Sequence, residues 1–315
     1  MQAQSSASVS MPDTEAWSYL GEQERQFSVM REGAALTSTR LRTDDGISLH
    51  ALSCGQPGRP VVLLANAVGV SALFIARLAK ALAVHYHVVS WESRGMPDIG
   101  TTPLSACVSL ERQCQDALAV LRHFDCKPSA VVSYCSGSNV AAYALSTRLM
   151  TAQAWCAVSP SINVATANQT DYQRTMLPLW RRLAEGNPRQ AALVKALLAR
   201  RNPSEETGPR SELLHLNGLP FASGESTYQY ARLQAACMAP EWAPLLNAIA
   251  VPTLICHGTQ DVIIHRDTSD HVARHVPGAQ LIDIPDSGHF SVYESDRLHT
   301  EILHFLQRSL RTHTP

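Results

Sequence analysis

The strongest constraint on the fold is a series of short, largely apolar runs: Val61–Leu64, Val88–Trp91, Ala130–Ser133, Ala154–Val158 and Thr253–Cys256. Each is too short for a helix, and each is followed by a turn and usually by residues at helical spacing. A strand that is apolar on both faces must be covered on both, which places it in a mostly parallel central sheet flanked by helices, an α/β fold. Leu73–Leu82, Leu110–Phe124 and Asn139–Leu149 carry the helical spacing between the runs, and Ser109 ahead of Glu111 supplies a cap for the second. Upstream, Thr37–Thr43 and Ile47–Ser53 alternate and are joined by Asp44-Asp45-Gly46, a hairpin signal because Gly accepts positive φ.

The alternation breaks over residues 160–244, which hold long helical stretches such as Leu179–Arg201, no convincing strand, and punctuation at Gly186-Asn187-Pro188 and Gly218-Leu219-Pro220. This reads as a helical lid inserted over the sheet. The core is then expected over residues 35–159 and 245–315, resuming at Val251-Pro252 and closing with a helix over Arg297–Arg311. Residues 1–34 read as an N-terminal extension with a helix around Glu22 to Met30 and no assigned chemistry.

Composition excludes several classes. A formal net charge of −1 argues against bulk attraction to nucleic acid or membrane. No run of 18 apolar residues occurs, and the first 30 residues lack the basic start and apolar stretch of a signal peptide, so a cytoplasmic location is expected. The eight cysteines are scattered, with no C-x-x-C pair or zinc-like His/Cys spacing, so no metal is expected. Any cysteine with a chemical role must be set apart by its context.

Cys135 has such a context. AVVSYCSGSNVAAYAL reads as strand, tight turn and helix, with Ser133-Tyr134-Cys135-Ser136-Gly137 at the turn. A strained strand-to-helix turn needs small residues two before and two after its central nucleophile. Centring on Cys135 puts Ser133 and Gly137 there, whereas centring on Ser136 would put bulky Tyr134 at one of them. A buried, inert thiol is the bland alternative. Two later segments weigh against it. VPTLICHGTQDVIIH places Asp261 just past a strand, and LIDIPDSGHFSVYE places His289 after the last strand. In isolation Asp261 would read as a turn carboxylate and His289 as a surface histidine. His257, His265, His271 and His275 read as structural or exposed.

In the order Cys135, Asp261, His289, with these strands, the chain resembles the α/β-hydrolase superfamily over roughly residues 36–158 and 245–311, with the insertion where that superfamily carries a lid. It departs in having Cys where Ser is commoner and Ser133 where Gly is commoner. The resemblance implies a Cys-His-Asp triad, with His289 taking the thiol proton and Asp261 fixing the imidazole. Asn66-Ala67-Val68-Gly69 resembles the Asn-Ser-Leu-Gly string of enol-lactonase-like members, which implies an oxyanion site from the backbone N–H groups of Val68 and Ser136, with Ala67 as a one-residue alternative. Glu92 and Arg94 in WESRG match a family region read here as structural.

Cys-nucleophile members with a helical lid resemble the aminoacyltransferases of non-ribosomal peptide biosynthesis, of the syringomycin and coronamic acid type. That likeness implies transfer of an aminoacyl group between acyl or peptidyl carrier proteins through acyl-Cys135. No bound cofactor is implied, phosphopantetheine being carried by the partners. Residues 171–210 agree, with eight basic side chains (Arg174, Arg181, Arg182, Arg189, Lys195, Arg200, Arg201, Arg210) against four acidic ones (Asp171, Glu185, Glu205, Glu206), a surface that would steer acidic carriers. Solvated helix faces are the plain alternative. The rivals are a Cys-type thioesterase or other ester or lactone hydrolase, and a non-catalytic member that binds a small ligand.

Overall fold

The structure is a computed structural model that describes residues 25–26, 36–95, 103–164, 168–199 and 209–311. The extension over 1–34, apart from helical Arg25 and Gln26, lies outside the described residues, as do Arg200, Arg201, Glu205 and Glu206.

The hairpin signal gives β1 (Thr37–Arg42) and β2 (Ser48–Cys54), antiparallel, with Gly46 at φ +81° in the turn. The apolar runs become β3 (Val61–Ala65), followed by helix α1 (Ala76–Ala83), and β4 (His87–Trp91), followed by α2 (Leu110–His123). Next come β5 (Ala130–Tyr134), α3 (Gly137–Ser146) and β6 (Ala154–Val158). Ser109 caps α2 through its side chain, which accepts from Arg112 N. Among the described residues five α-helices follow without a strand: α4 (Asp171–Ala184), α5 (Pro188–Ala199), α6 (Pro209–Gly218), α7 (Gly224–Met238) and α8 (Trp242–Asn247). The chain then completes the sheet with β7 (Thr253–Gly258), α9 (Arg266–His275) and β8 (Gln280–Ile284), and ends in α10 (Ser291–Glu294) and α11 (Asp296–Arg311).

The eight strands lie in the order β1-β2-β4-β3-β5-β6-β7-β8, and all pairings from β4 onward in that order are parallel. Strands β3 to β6 are buried throughout, which is why their sequences do not alternate. Their side chains still divide by face. Val62 and Leu64 join Leu78, Ile302 and Leu306, whereas Val61 and Leu63 join Ala117, Val120 and Val140 on the opposite side. Both faces of these central strands are thereby sealed from water, the main source of the sheet's stability.

Because β3 lies between β4 and β5, the connections leaving its carboxyl end diverge and open a crevice where a ligand can enter. The inserted helices roof that crevice. Helix α7 packs against both α4 and α5, around Met176, Trp180, Leu183 and Ala231. Within the expected helical stretch Leu179–Arg201, the described residues form parts of two helices, α4 and α5. The stretch is broken at Gly186, and the Asn187 side chain restarts it by accepting from Arg189 N at 3.1 Å and Gln190 N at 3.2 Å.

Candidate active site

Cys135 sits between β5 and α3 with φ +48°, a left-handed conformation that costs a non-glycine residue about 1–3 kcal/mol. The surrounding hydrogen bonds hold it there. Cys135 N donates to Val158 O at 3.0 Å, and Cys135 O accepts from Ser138 N and Ser161 N, each at 3.1 Å. The turn also forces α3 against β3. A Cβ on Gly137 would lie 2.3 Å from the carbonyl oxygens of Ala65 and Asn66, so a side chain there is excluded. Ser133, where a smaller residue is usual, is tolerated because its hydroxyl is used: Trp155 Nε1 donates to it at 2.9 Å, and it lies 3.0 Å from Ser138 Oγ.

The turn after β7 delivers Asp261, whose side chain is fully buried. Its Oδ1 accepts from the backbone N–H groups of Ile263 and Ile264, both at 2.9 Å, and its Oδ2 lies 2.9 Å from His289 Nδ1. Burial alone would raise the carboxyl pKa, but the His289 charge and these hydrogen bonds outweigh it and hold it below the ordinary 3.8. Burial likewise opposes charge on His289, yet Asp261 and Cys135 together lift the imidazole to about 10. Nδ1 holds the Asp261 carboxylate, and the Cys135 side chain lies near enough to the ring to favour its charged form. With Nδ1 committed to Asp261, Nε2 is the nitrogen left for the sulfur. The structure thus brings Cys135, Asp261 and His289 to one place, with Asp261 and His289 in direct contact. Cys135 is half-buried and faces the cavity, whereas Cys54, Cys114, Cys156, Cys237 and Cys256 are buried.

The loop after β3 approaches from the other side. Asn66 Nδ2 donates to Val70 O and Ser71 O at 2.9 Å each, and Glu92 Oε1 accepts from Ala72 N at 2.9 Å, so the loop is braced. Gly69 has φ +74°, and a Cβ there would meet the Tyr230 ring at 2.8 Å. Of the two expected oxyanion residues, Ser136 lines the cavity beside Cys135. The Val68 N–H is placed differently: it donates to Ser136 Oγ at 3.0 Å, and Ala67 borders the cavity in its stead. Arg94 is buried between Asp116 and Asp45, with Nε 2.6 Å from Asp116 Oδ2, away from the cavity. Both WESRG charges thus hold loops in place. His257 is buried against Ser269 Oγ at 2.9 Å, and His265 caps α9, consistent with structural roles for both.

The cavity above Cys135 has a volume of about 430 Å³. Its roof comes from the inserted helices, through residues that carry no motif: Tyr172, Trp180, Phe221, Tyr230, Gln234 and Lys195. Trp180 stacks on Phe221 at a centroid distance of 5.8 Å, and Tyr230 meets both rings edge-on at 5.2 Å. Tyr172 and Tyr230 both line this roof, and burial raises both pKa values. Lys195 is the one lysine or arginine among the described lining residues, with Nζ donating to Ala222 O at 2.6 Å; no carboxylate borders the cavity among them. No group of three His, Cys, Asp or Glu side chains among the described residues could hold a metal, and no helix among them is long and apolar enough to cross a membrane.

Comparison with known proteins fits this geometry. The family model described as the alpha/beta hydrolase family matches residues 57–299. An L-allo-isoleucyltransferase of Pseudomonas savastanoi pv. glycinea is 23% identical over 261 residues, covering 79% of this chain and 88% of the relative. A Klebsiella pneumoniae (strain 342) protein named as a carbamate hydrolase, RutD, is 26% identical over 254 residues, covering 78% and 90%. The crystal structure of the enol-lactonase from Burkholderia xenovorans LB400 superposes with a TM-score of 0.64 at 16% identity, covering 82% of this chain and 96% of the other, a likeness of fold.

Proposed function

This chain belongs to the alpha/beta hydrolase family, and from that premise we propose that it is an acyltransferase that carries its acyl group as a thioester on Cys135. The observation that carries the reading is a cavity-facing thiol at the elbow, beside an imidazole whose Nδ1 is held 2.9 Å from a buried carboxylate. In the first half-reaction the Cys135 proton passes to His289 and the sulfur adds to the donor's thioester carbonyl. The carbon–sulfur bond to the donor then breaks, and its thiolate leaves with the proton from His289. The second half-reaction runs the same steps in reverse with an acceptor thiol. Acyl-cysteine and the acyl-phosphopantetheine of a carrier protein are both thioesters of ordinary thiols, so transfer between them is close to balanced and reversible.

The donor and acceptor in this reading are phosphopantetheinyl carrier proteins and the cargo is an aminoacyl group, in keeping with the similarity to an L-allo-isoleucyltransferase. The aromatic and aliphatic roof suits an apolar side chain. An α-amino group would meet neutral acceptors, the Tyr172 and Tyr230 hydroxyls, in place of a carboxylate. Exposed Arg181, Arg182 and Arg189 on the outer layer would favour an acidic carrier.

Similarity to a protein named as a carbamate hydrolase favours a second reading, hydrolysis of a thioester, ester or lactone at the same thiol. The two separate on the fate of the acyl group. With an isotopically labelled aminoacyl carrier as donor, a transferase holds the label on the protein until an acceptor thiol is added. A hydrolase instead releases free acid steadily, with or without acceptor.

A further inference from the structure

Ser136 follows the elbow thiol, and its side chain is tied to both walls of the site. Its Oγ accepts from Val68 N–H at 3.0 Å and from Gln234 Nε2 at 3.4 Å. Gln234 lies on α7 of the inserted layer, and its Nε2 also donates to Val68 O at 3.3 Å. A carbonyl oxygen can only accept, so that contact fixes which end of the Gln234 amide faces Ser136. A hydroxyl oxygen has two lone pairs and one proton. Val68 and Gln234 fill both lone pairs, and the proton is left to be donated on the remaining side of an oxygen whose residue borders the cavity beside Cys135.

We infer that the Ser136 hydroxyl, rather than the Val68 amide, is the second donor to the oxyanion formed when Cys135 adds to a thioester carbonyl. It joins the Ser136 backbone N–H, and Gln234 is the positioning residue that aims it. The inference rests on acyl-Cys135 chemistry and deepens it in one respect: the inserted layer does more than shape the cavity, because seating α7 orients a catalytic donor. The two bonds entering Oγ also polarise the O–H they leave free, which strengthens its donation.

The test measures loading of Cys135 from an aminoacyl thioester in the full chain. Ser136→Ala is expected to lower kcat about 100-fold, the usual effect of removing one oxyanion donor, with KM within about twofold. Gln234→Leu is expected to lower kcat about 10-fold, and the double variant to be no slower than Ser136→Ala, because both changes act through one hydroxyl. Alkylation of Cys135 by iodoacetamide forms no oxyanion, so it should proceed at the wild-type rate in every variant, which also verifies that the elbow is folded. Loading by Ser136→Ala at the wild-type rate or faster would overturn the inference, since the freed Val68 N–H would then be the donor. So would additive losses in the double variant, or alkylation that slows in parallel with loading. Failure of the underlying reading looks different: wild-type protein takes up no acyl group at all.

Discussion

Two surfaces meet around the cavity and obey different rules. The floor is the carboxyl end of the sheet, where Cys135, Asp261 and His289 stand on turns fixed by strand pairing and by hydrogen bonds within 3.1 Å. The roof is the inserted layer, where Trp180, Phe221 and Tyr230 pack on one another through helices α4 and α7 and the turn before α7. The floor has little freedom, because a Cβ on Gly137 alone would drive into the backbone of β3. The roof is held by side-chain packing, in which exchange of one apolar residue for another of similar volume is tolerated. On the proposed reading, the floor sets which bonds are made and broken, while the roof sets which acyl group is admitted.

The sharpest way to break that division is at the thiol. Cys135→Ala should abolish covalent loading, a loss of about 10⁶-fold by analogy with removal of a triad nucleophile, while circular dichroism stays that of the parent. Asp261→Asn should cost about 10⁴-fold in kcat, because an amide at that position favours the wrong imidazole tautomer; an effect below tenfold would detach the carboxylate from the chemistry. The roof should behave otherwise. Trp180→Leu is expected to change relative kcat/KM among short and bulky acyl groups about 10-fold, with iodoacetamide alkylation of Cys135 unchanged. Equal slowing for all acyl groups would show that the roof is not selective.

The smallest effect is on stability with pH. His289 is raised from 6.5 to about 10, so its contribution is fully present below pH 6.5 and is lost as pH rises through about 10. Asp261 is lowered from 3.8, so its contribution is present above pH 3.8 and fades as pH falls through the lowered value. The sum is greatest between those limits. In Cys135→Ala the partner sulfur is gone, and the His289 titration followed by NMR should move down; no movement would mean that sulfur and imidazole do not interact.

Much of the floor was legible in the sequence. The short apolar runs imply the parallel sheet, and Ser133, Cys135 and Gly137 imply the turn, because steric limits at a tight joint act on neighbouring residues. Asp261 and His289 could be placed because each follows a strand by a few residues. The loop after β3 was legible only in part. Asn66-Ala67-Val68-Gly69 locates it, but the bond taken by the Val68 N–H depends on the side chains of Ser136 and Gln234, which are distant in sequence. The roof was legible as helices and no further. Tyr172, Trp180 and Tyr230 show the spacing of any buried helix face, and nothing local distinguishes a residue that lines a cavity from one that fills a core.

One measurement bears most directly on acyl transfer through Cys135: peptide mapping by mass spectrometry after brief exposure to a labelled aminoacyl thioester and an acid quench. The account predicts a single adduct on the peptide containing Cys135, removed by neutral hydroxylamine and chased off by an acceptor thiol. An adduct on exposed Cys107 or half-buried Cys126 with Cys135 unmodified, or a serine-linked adduct resistant to neutral hydroxylamine, would contradict it.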